Sequence, residues 1–101
     1  PNVLTAIESR TVLTNEGATA ENYETLPAAA AGLDFIFICQ DADGIRVTAA
    51  AGDTIRLGTA GVSAAAGFVR STAIGSSLRL VAINAVEWMA TQIVGTWTID
   101  T

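Results

Sequence analysis

The sequence predicts an all-β fold, an antiparallel β-sandwich or barrel of about eight short strands. Three observations favour this fold class. Runs of β-branched and aromatic residues recur at spacings of about 8–12 residues, with turn residues between them. The length of 101 residues suits one domain with one core, and with half of the residues apolar the chain has more apolar surface than a small monomer would bury. The alanine-rich stretches lack the polar face that the amphipathic helices of an α/β fold would need.

The clearest pattern lies in the C-terminal stretch, residues 77–100. Residues 78–83 and 88–94 are two apolar runs, and Gly75-Ser76-Ser77 precedes the first of them. We expect the two runs to pair as an antiparallel hairpin with Asn84-Ala85 at its tip. A last short run covers residues 96–99, and the upstream elements are expected to form further hairpins that pack against this one.

Turn signals divide the rest of the chain. Residues 1–10 are predicted as an N-terminal arm or as a first strand, and residues 11–101 as a single β-domain. Residues 27–32 have the pattern of one helical turn, with Pro27 at a first helical position and Gly32 at a helix exit. Because so short a segment is not a stable helix on its own, a turn or a 3₁₀ segment that bridges two strands is expected. Asp41-Ala42-Asp43-Gly44 is predicted to be a hairpin turn, since Asp-Gly between apolar runs is a strong hairpin signal. The other strands are expected at residues 11–13, 23–26, 33–40, 45–48, 54–57 and 68–72.

Two predicted strands are apolar on both faces, because side chains alternate along a strand. One face of each supplies the core: Leu33, Phe35, Phe37 and Cys39 in the first strand, and Leu78, Leu80 and Ala82 in the second. The opposite faces carry a second apolar set, Ile36, Ile38, Val81 and Ile83. Either the chain itself covers both faces, or the second set is a subunit interface. We favour the interface, since contiguous exposed apolar patches mark contacts.

The charge of the chain excludes several classes of partner. The net charge is −5, there is no Lys or His, and the five Arg residues stand singly. We therefore expect no nucleic-acid partner, which would need a basic stripe, and no anionic membrane partner. No signal peptide pattern is found in residues 1–10. Cys39 has no internal disulfide partner and is predicted to be a buried small hydrophobe.

No residue pattern indicates catalysis, so we predict that the protein is not an enzyme and uses no metal or other cofactor. Asp34, Asp53 and Glu87 could form an acid–base pair, but no pocket signal accompanies them. The chain has no His, the commonest general base, and no Lys, the residue that forms Schiff bases. The Asp41–Gly44 motif is similar to the start of a calcium loop, but the later ligands are missing, which favours a simple turn.

The two tryptophans are candidates for a sugar-stacking platform. Trp97 is followed two residues later by Ile99, which favours a core position. Trp88 lies near the predicted hairpin tip and is the better exposed candidate, so it is the possible sugar contact. Burial in the core or in an interface is the commoner fate of a tryptophan and is favoured over the sugar contact for this residue.

The chain also resembles a known family over residues 11–98. The resemblance lies at TVLTNEG, LPAAAAGLDFIF, DADGIRVTAAAGDTI, AIGSSLRLVAINAVEWMA and GTW. These segments are similar to a small β-module of tailed-bacteriophage virion proteins, found in capsid decoration (cement) proteins and in head-fibre and tail-fibre domains. The similarity is one of turns and strands, and LPAAAAGL and the GSSLRLVAIN…W strand pair are its most specific parts.

The resemblance implies a homotrimer on the virion surface, assembled in the host cytoplasm. Its partners would be its own copies and the major capsid protein or another virion protein. If this is the full chain, with no shaft or coiled coil attached to the module, a decoration role is expected rather than a fibre. The alternative is a receptor- or carbohydrate-binding domain of a tail or head fibre. In the arm, Val3, Leu4 and Ile7 are the predicted capsid contact, with the loop 58–67 facing away.

Overall fold

The computed structural model describes residues 2–100, and its regular structure consists of strands and two short 3₁₀ turns, Ala6–Glu8 and Gly58–Ala60. The all-β prediction is confirmed. In chain order the strands are β1 (Asn2–Val3), β2 (Thr11–Thr14), β3 (Asn22–Thr25), β4 (Asp34–Ile38), β5 (Ile45–Thr48), β6 (Thr54–Arg56), β7 (Phe68–Ser71), β8 (Ser77–Ala82), β9 (Glu87–Val94) and β10 (Thr98–Ile99).

The strands form two five-stranded sheets, which is consistent with a sandwich. Sheet A has the order β1-β3-β5-β7-β10 and sheet B the order β2-β4-β8-β9-β6. The prediction of an antiparallel fold is wrong for half of the pairings: β1–β3, β3–β5, β2–β4 and β6–β9 are parallel. Consecutive strands lie in opposite sheets except for β8 and β9, so the upstream elements are not hairpins.

The first half of the chain winds as a two-sheet coil. It passes from sheet A to sheet B and back, and each turn adds one parallel strand to each sheet. Asn2 aligns with Glu24 in sheet A and Thr11 aligns with Phe35 in sheet B. The second half closes the coil with antiparallel strands, since β7 pairs with β5 and β8 pairs with β4.

The segment Asp41–Gly44 is a tight turn, as predicted, but it does not join a hairpin. The Gly44 N–H donates to the Asp41 carbonyl at 3.1 Å, and Gly44 has a φ of 97°. The turn carries the chain from β4 in sheet B to β5 in sheet A. A turn of this kind reverses the chain locally, whereas the sheet that receives the next strand is decided by distant contacts.

The segment 27–32 bridges β3 and β4 with a turn, as expected, and contains no helical or 3₁₀ turn. It runs irregularly between the sheets and ends in a turn in which the Leu33 N–H donates to the Ala30 carbonyl at 3.1 Å. The buried carboxylate of Asp53 accepts a hydrogen bond from the Ala29 N–H at 2.8 Å. Asp53 belongs to the connection before β6, so a distant side chain satisfies the Ala29 N–H. A single helical turn is too short to be stable by itself, and the segment does not form one.

The core lies between the sheets and is built from alternate residues of their strands. The predicted inward faces of β4 and β8 are confirmed, since Phe35, Phe37, Leu78 and Leu80 have no exposed surface. Ile45, Val47 and Ile55 on β5 and β6 are equally buried. Cys39 is buried and free, as predicted. Phe35 packs against Phe37 and Trp88, with ring centroids 6.4 and 5.9 Å away.

The hairpin predicted from the C-terminal stretch is confirmed as β8 and β9. The two strands pair antiparallel from Ser77–Val94 to Ala82–Trp88, with an irregularity beside Arg79 and Leu80. Beyond the hairpin, β10 returns to sheet A and pairs with β7. Within residues 2–100 we find no helix with the length and hydropathy that crossing a membrane requires.

Candidate interaction surface

The side of sheet B that faces away from the core carries the second apolar set. Val12 on β2 lies beside Ile36 on β4, and Val81 on β8 lies opposite Met89 on β9. We call this side the outer B face; its apolar residues are Val12, Ile36, Ile38, Val81, Ile83 and Met89. All of them keep some contact with solvent, and Val12 and Ile83 are 52% and 45% exposed.

The structure therefore brings the four predicted interface residues together on one face of one sheet. Ile36, Ile38 and Val81 are half-buried, because neighbouring side chains on the same face cover their flanks. Sequence reasoning missed Val12 and Met89, which extend the apolar area to both sides. Alternation was the available signal for Val12, since Thr11 and Leu13 take the inward positions of a four-residue strand.

Two ion pairs interrupt the apolar area. Arg79 donates from Nε to Asp34 Oδ1 at 3.1 Å and from its terminal nitrogen to Asp34 Oδ2 at 2.6 Å. The hydrogen bond and the charge of Asp34 raise the pKa of Arg79 above its ordinary value. Arg56 lies 3.5 Å from a Glu87 carboxylate oxygen. These four charges cancel in pairs, so the outer B face is nearly neutral on a chain whose net charge is −5.

Of the three residues predicted to contact the capsid, two are exposed and one is buried. Val3 and Ile7 are 66% and 94% exposed, whereas Leu4 is only 2% exposed and belongs to the core. The Leu4 N–H donates to the Thr25 carbonyl at 2.8 Å, which ties the segment to sheet A. A capsid contact by Leu4 is therefore wrong, and the interpretation of the first residues as a strand holds for Asn2–Val3. The contact by Val3 and Ile7 stays a prediction.

Of the two readings of Trp88, burial in the core is confirmed and the sugar contact is wrong, because the residue has no accessible surface and is the largest fully buried side chain. Trp88 aligns with Ala82 on β8 and with Ile55 on β6, both of which point inward. Opposed residues share a face of the sheet, so the inward position of Ala82 was the signal that sequence reasoning overlooked. Trp97 is half-buried against the core and donates from Nε1 to the Ser77 carbonyl at 3.1 Å.

The outer face of sheet A carries a charged and aromatic cluster instead. The Arg46 guanidinium lies 3.9 Å from the Phe68 ring centroid and 5.2 Å from that of Tyr23. Glu21 accepts a hydrogen bond from Arg70 Nε at 2.7 Å and lies 3.4 Å from Arg46. Burial opposes ionisation of Glu21, but the hydrogen bond from Arg70 and the two positive charges lower the pKa of its carboxyl below 4.5.

The acidic residues considered for acid–base chemistry each have a separate partner. Asp34 binds Arg79, Glu87 is paired with Arg56, and Asp53 accepts the backbone N–H of Ala29. In the part of the chain from residue 2 to residue 100 there is no group of three or more His, Cys, Asp or Glu residues that could hold a metal ion. These carboxylates therefore have structural roles in the fold.

A small cleft lies at the end of β7. It has a volume of about 70 Å³ and is lined by Arg70, Ser71, Thr72, Ala73, Thr96 and Thr98. Ligand pockets have volumes of roughly 300–1,000 Å³, so this cleft is too small to enclose a ligand of that class. It does not replace the sugar platform that was expected at Trp88.

No protein-family model matches the sequence, and no curated protein shows significant similarity to it.

Proposed function

We propose that this chain is a non-enzymatic structural subunit of a bacteriophage virion, a decoration (cement) module that assembles as a homotrimer on the outside of the capsid. The observation that carries the proposal is the apolar outer B face, on which Ile36, Ile38, Val81 and Ile83 lie together. The sequence resemblance to phage β-modules supplies the virion setting. The two-sheet all-β fold is compatible with such a module.

Burial against another copy is the outcome that the chemistry of the outer B face favours. Exposed apolar area in contiguous form marks interaction surfaces on soluble proteins. Charged groups are costly to bury unless they are paired, and here Arg79 already has Asp34 and Arg56 already has Glu87. Subunit contact would therefore remove apolar side chains from water without stranding a charge. The choice of three copies comes from the resemblance alone.

The partners in this proposal are further copies of the chain and the major capsid protein or another virion protein. Val3 at the end of β1 and Ile7 on the 3₁₀ turn that follows are both exposed, and they are available for the capsid contact. The carbohydrate-binding alternative has lost the residue that motivated it, since no face of the Trp88 ring is accessible. We therefore propose the structural role alone.

The experiment compares the wild type with Ile38→Asp, using light scattering after size exclusion and co-sedimentation with empty phage capsids. The wild type should be a trimer at micromolar concentration and should sediment with the capsids. Ile38→Asp would place an unpaired carboxylate in the interface and should give monomers, because burying such a charge costs several kcal/mol.

Asp43→Ala is the matched control, since Asp43 lies exposed in the turn after β4. This substitution should lower the free energy of unfolding by about 1 kcal/mol at most. It should leave both the trimer and the capsid binding intact. A monomeric wild type, or equal effects of the two substitutions on assembly, would contradict the assignment of the outer B face. Trimers that do not sediment with the capsids would contradict the decoration role.

A further inference from the structure

A different part of sheet B, its β2 edge, is open to another strand. Within residues 2–100, β2 pairs with β4 and with no strand on its other side. The opposite edge of the sheet is covered by the chain itself: Arg56 on β6 bridges to Val62, and the Ser63 N–H donates to the Ile55 carbonyl at 2.8 Å. The edge strands of sheet A, β1 and β10, have only two residues each.

The hydrogen-bond pattern shows which groups of β2 are unpaired. On β4, Leu33 and Cys39 direct their backbone groups to the β8 side, where Leu33 accepts from Ala82 and Cys39 donates to Ser76. Directions alternate along a strand, so the even-numbered residues of β4 face β2. Ile36 aligns with Val12, and in a parallel pair it bonds the two residues that flank its partner, Thr11 and Leu13. Val12 and Thr14 therefore direct their N–H and C=O groups outward.

This edge has none of the usual protection against strand pairing. Natural edge strands carry charged residues, proline or bulges that discourage a partner. The sequence of β2 is Thr-Val-Leu-Thr, with no charge and no proline, and Val12 is 52% exposed. Only an extended backbone has donors and acceptors at the spacing that Val12 and Thr14 offer, so the occupant of this edge is a strand.

The charges beside β2 identify that strand. Arg10 precedes it and Glu16 follows it; both are exposed, and neither takes part in a salt bridge within the described chain. If a second β2 lies antiparallel about a two-fold axis at Leu13, Arg10, which has a φ of 74° just before the strand, and Glu16 of the other copy, in the turn after its strand, come to the same end of the contact. Val12 of one copy then faces Thr14 of the second copy, and each such pair exchanges two backbone hydrogen bonds. Parallel pairing in register would instead place Arg10 beside Arg10 and Glu16 beside Glu16.

We propose that β2 is a self-association edge, on which β2 of a second copy pairs antiparallel about Leu13 and joins two copies of sheet B into one continuous sheet. The contact is isologous and closes on itself, as two-fold contacts do. It uses the edge of the sheet and leaves the outer B face free. This inference goes beyond the proposed function, because a two-fold contact adds pairing between trimers or, where no trimer forms, between single chains.

Charge exchange at Arg10 and Glu16 tests the register in the full protein. Arg10→Glu and Glu16→Arg each place like charges opposite one another twice per contact, and each should weaken the two-fold association about tenfold. The double variant R10E/E16R restores opposite charges and should return the dissociation constant to within about twofold of the wild type. Sedimentation equilibrium measures these constants. Asp43→Arg makes the same charge change as Glu16→Arg at an exposed turn and should leave the constant unchanged.

Hydrogen exchange followed by NMR gives a second readout, independent of the charges. The Val12 and Thr14 amides should exchange slowly in the associated protein and fast after dilution, whereas those of Thr11 and Leu13 stay protected in both. The absence of any even-numbered assembly, single exchanges without effect, or fast exchange at Val12 and Thr14 in the assembly would overturn the proposal. A monomer-to-dimer equilibrium without trimers would uphold it and contradict only the trimer, so the two proposals fail separately.

Discussion

Arg46 and Arg70 lie directly opposite each other on neighbouring strands of sheet A, and the carboxylate of Glu21 contacts both. Like charges in directly opposed positions destabilise a sheet. Glu21 offsets this repulsion, and the Phe68 ring beside Arg46 adds a cation–π contact. The arrangement makes the stability of sheet A depend on the charge of one carboxyl group.

Stability should consequently fall at acidic pH through Glu21. Its pKa is lowered in the folded chain, so its contribution is present above the ordinary value of 4.5 and is lost as the pH falls through the folded value. At pH 7, Glu21→Gln should cost about 1–2 kcal/mol of unfolding free energy, because the charged hydrogen bond is lost. Below the folded pKa the variant and the wild type should converge. Urea denaturation at a series of pH values measures the difference.

Glu16→Gln is the control for this acid dependence, since Glu16 is exposed and has no ion-pair partner within the described chain. Its unfolding free energy should follow the wild type at all pH values when measured at a concentration too low for association. A constant gap between Glu21→Gln and the wild type from pH 7 to pH 3 would show that the charge of Glu21 does not stabilise the sheet.

Gly95 should be among the positions least tolerant of substitution. It has a φ of 80°, and a Cβ there would lie 2.3 Å from Ser76 Oγ and 3.0 Å from Ser76 Cα. Gly95→Ala therefore combines a left-handed backbone cost of about 1–2 kcal/mol with an overpacking cost of about 1–3 kcal/mol. Gly75→Ala is the control, because its φ is 95° but no atom lies within 4 Å of its Cβ position. Denaturant midpoints that fall equally for both variants would contradict the packing argument.

The sequence identified the faces of the strands better than it identified their neighbours. Phe35 and Phe37 on β4, and Ile45 and Val47 on β5, point into the core as alternation predicts. This success has a local cause, since the period of two belongs to each strand by itself. The turn residues Asp41–Gly44 were also located correctly, because positive φ at Gly44 follows from local chemistry.

Strand order depends on contacts that the local pattern does not contain. The Asp-Gly turn predicts a reversal of the chain, and β5 does follow it, but β5 pairs in parallel with β3 on the opposite sheet. That pairing aligns Asn22 with Ile45 across a long connection, and no short-range signal marks it. Four of the six apolar residues of the outer B face could be predicted, because alternation marks Ile36 and Ile38 on β4 and Val81 and Ile83 on and just after β8. The open β2 edge required the sheet order.

Trp88 should tolerate phenylalanine much better than alanine. Its side chain fills the core beside Phe35, but its indole N–H is buried without a hydrogen-bond partner. Trp88→Ala should cost about 3–5 kcal/mol through lost packing and the cavity. Trp88→Phe removes the unsatisfied donor, which offsets part of the lost volume, and should cost about 1 kcal/mol. Chemical denaturation of both variants gives the comparison, and similar costs for the two would mean that the N–H has a partner such as water.

The last prediction concerns the first strand, where neighbouring residues have opposite environments. Leu4 is 2% exposed and packs in the core, and its N–H bonds to the Thr25 carbonyl, while Ile7 is 94% exposed on the 3₁₀ turn. Leu4→Ala should therefore lower the unfolding free energy by about 2–4 kcal/mol, as expected for a buried leucine. Ile7→Ala removes a similar volume from a position in water and should change the unfolding free energy by less than about 0.5 kcal/mol.

Deleting residues 2–7 should destabilise the fold at least as much as Leu4→Ala, because the deletion also removes the Asn2 side-chain amide that donates to the buried Glu24 carboxylate at 2.8 Å. Thermal and urea denaturation of the three variants measure these differences. A truncated chain as stable as the wild type would show that the first strand is an accessory arm, and a large loss for Ile7→Ala would show that Ile7 is covered in solution by another copy.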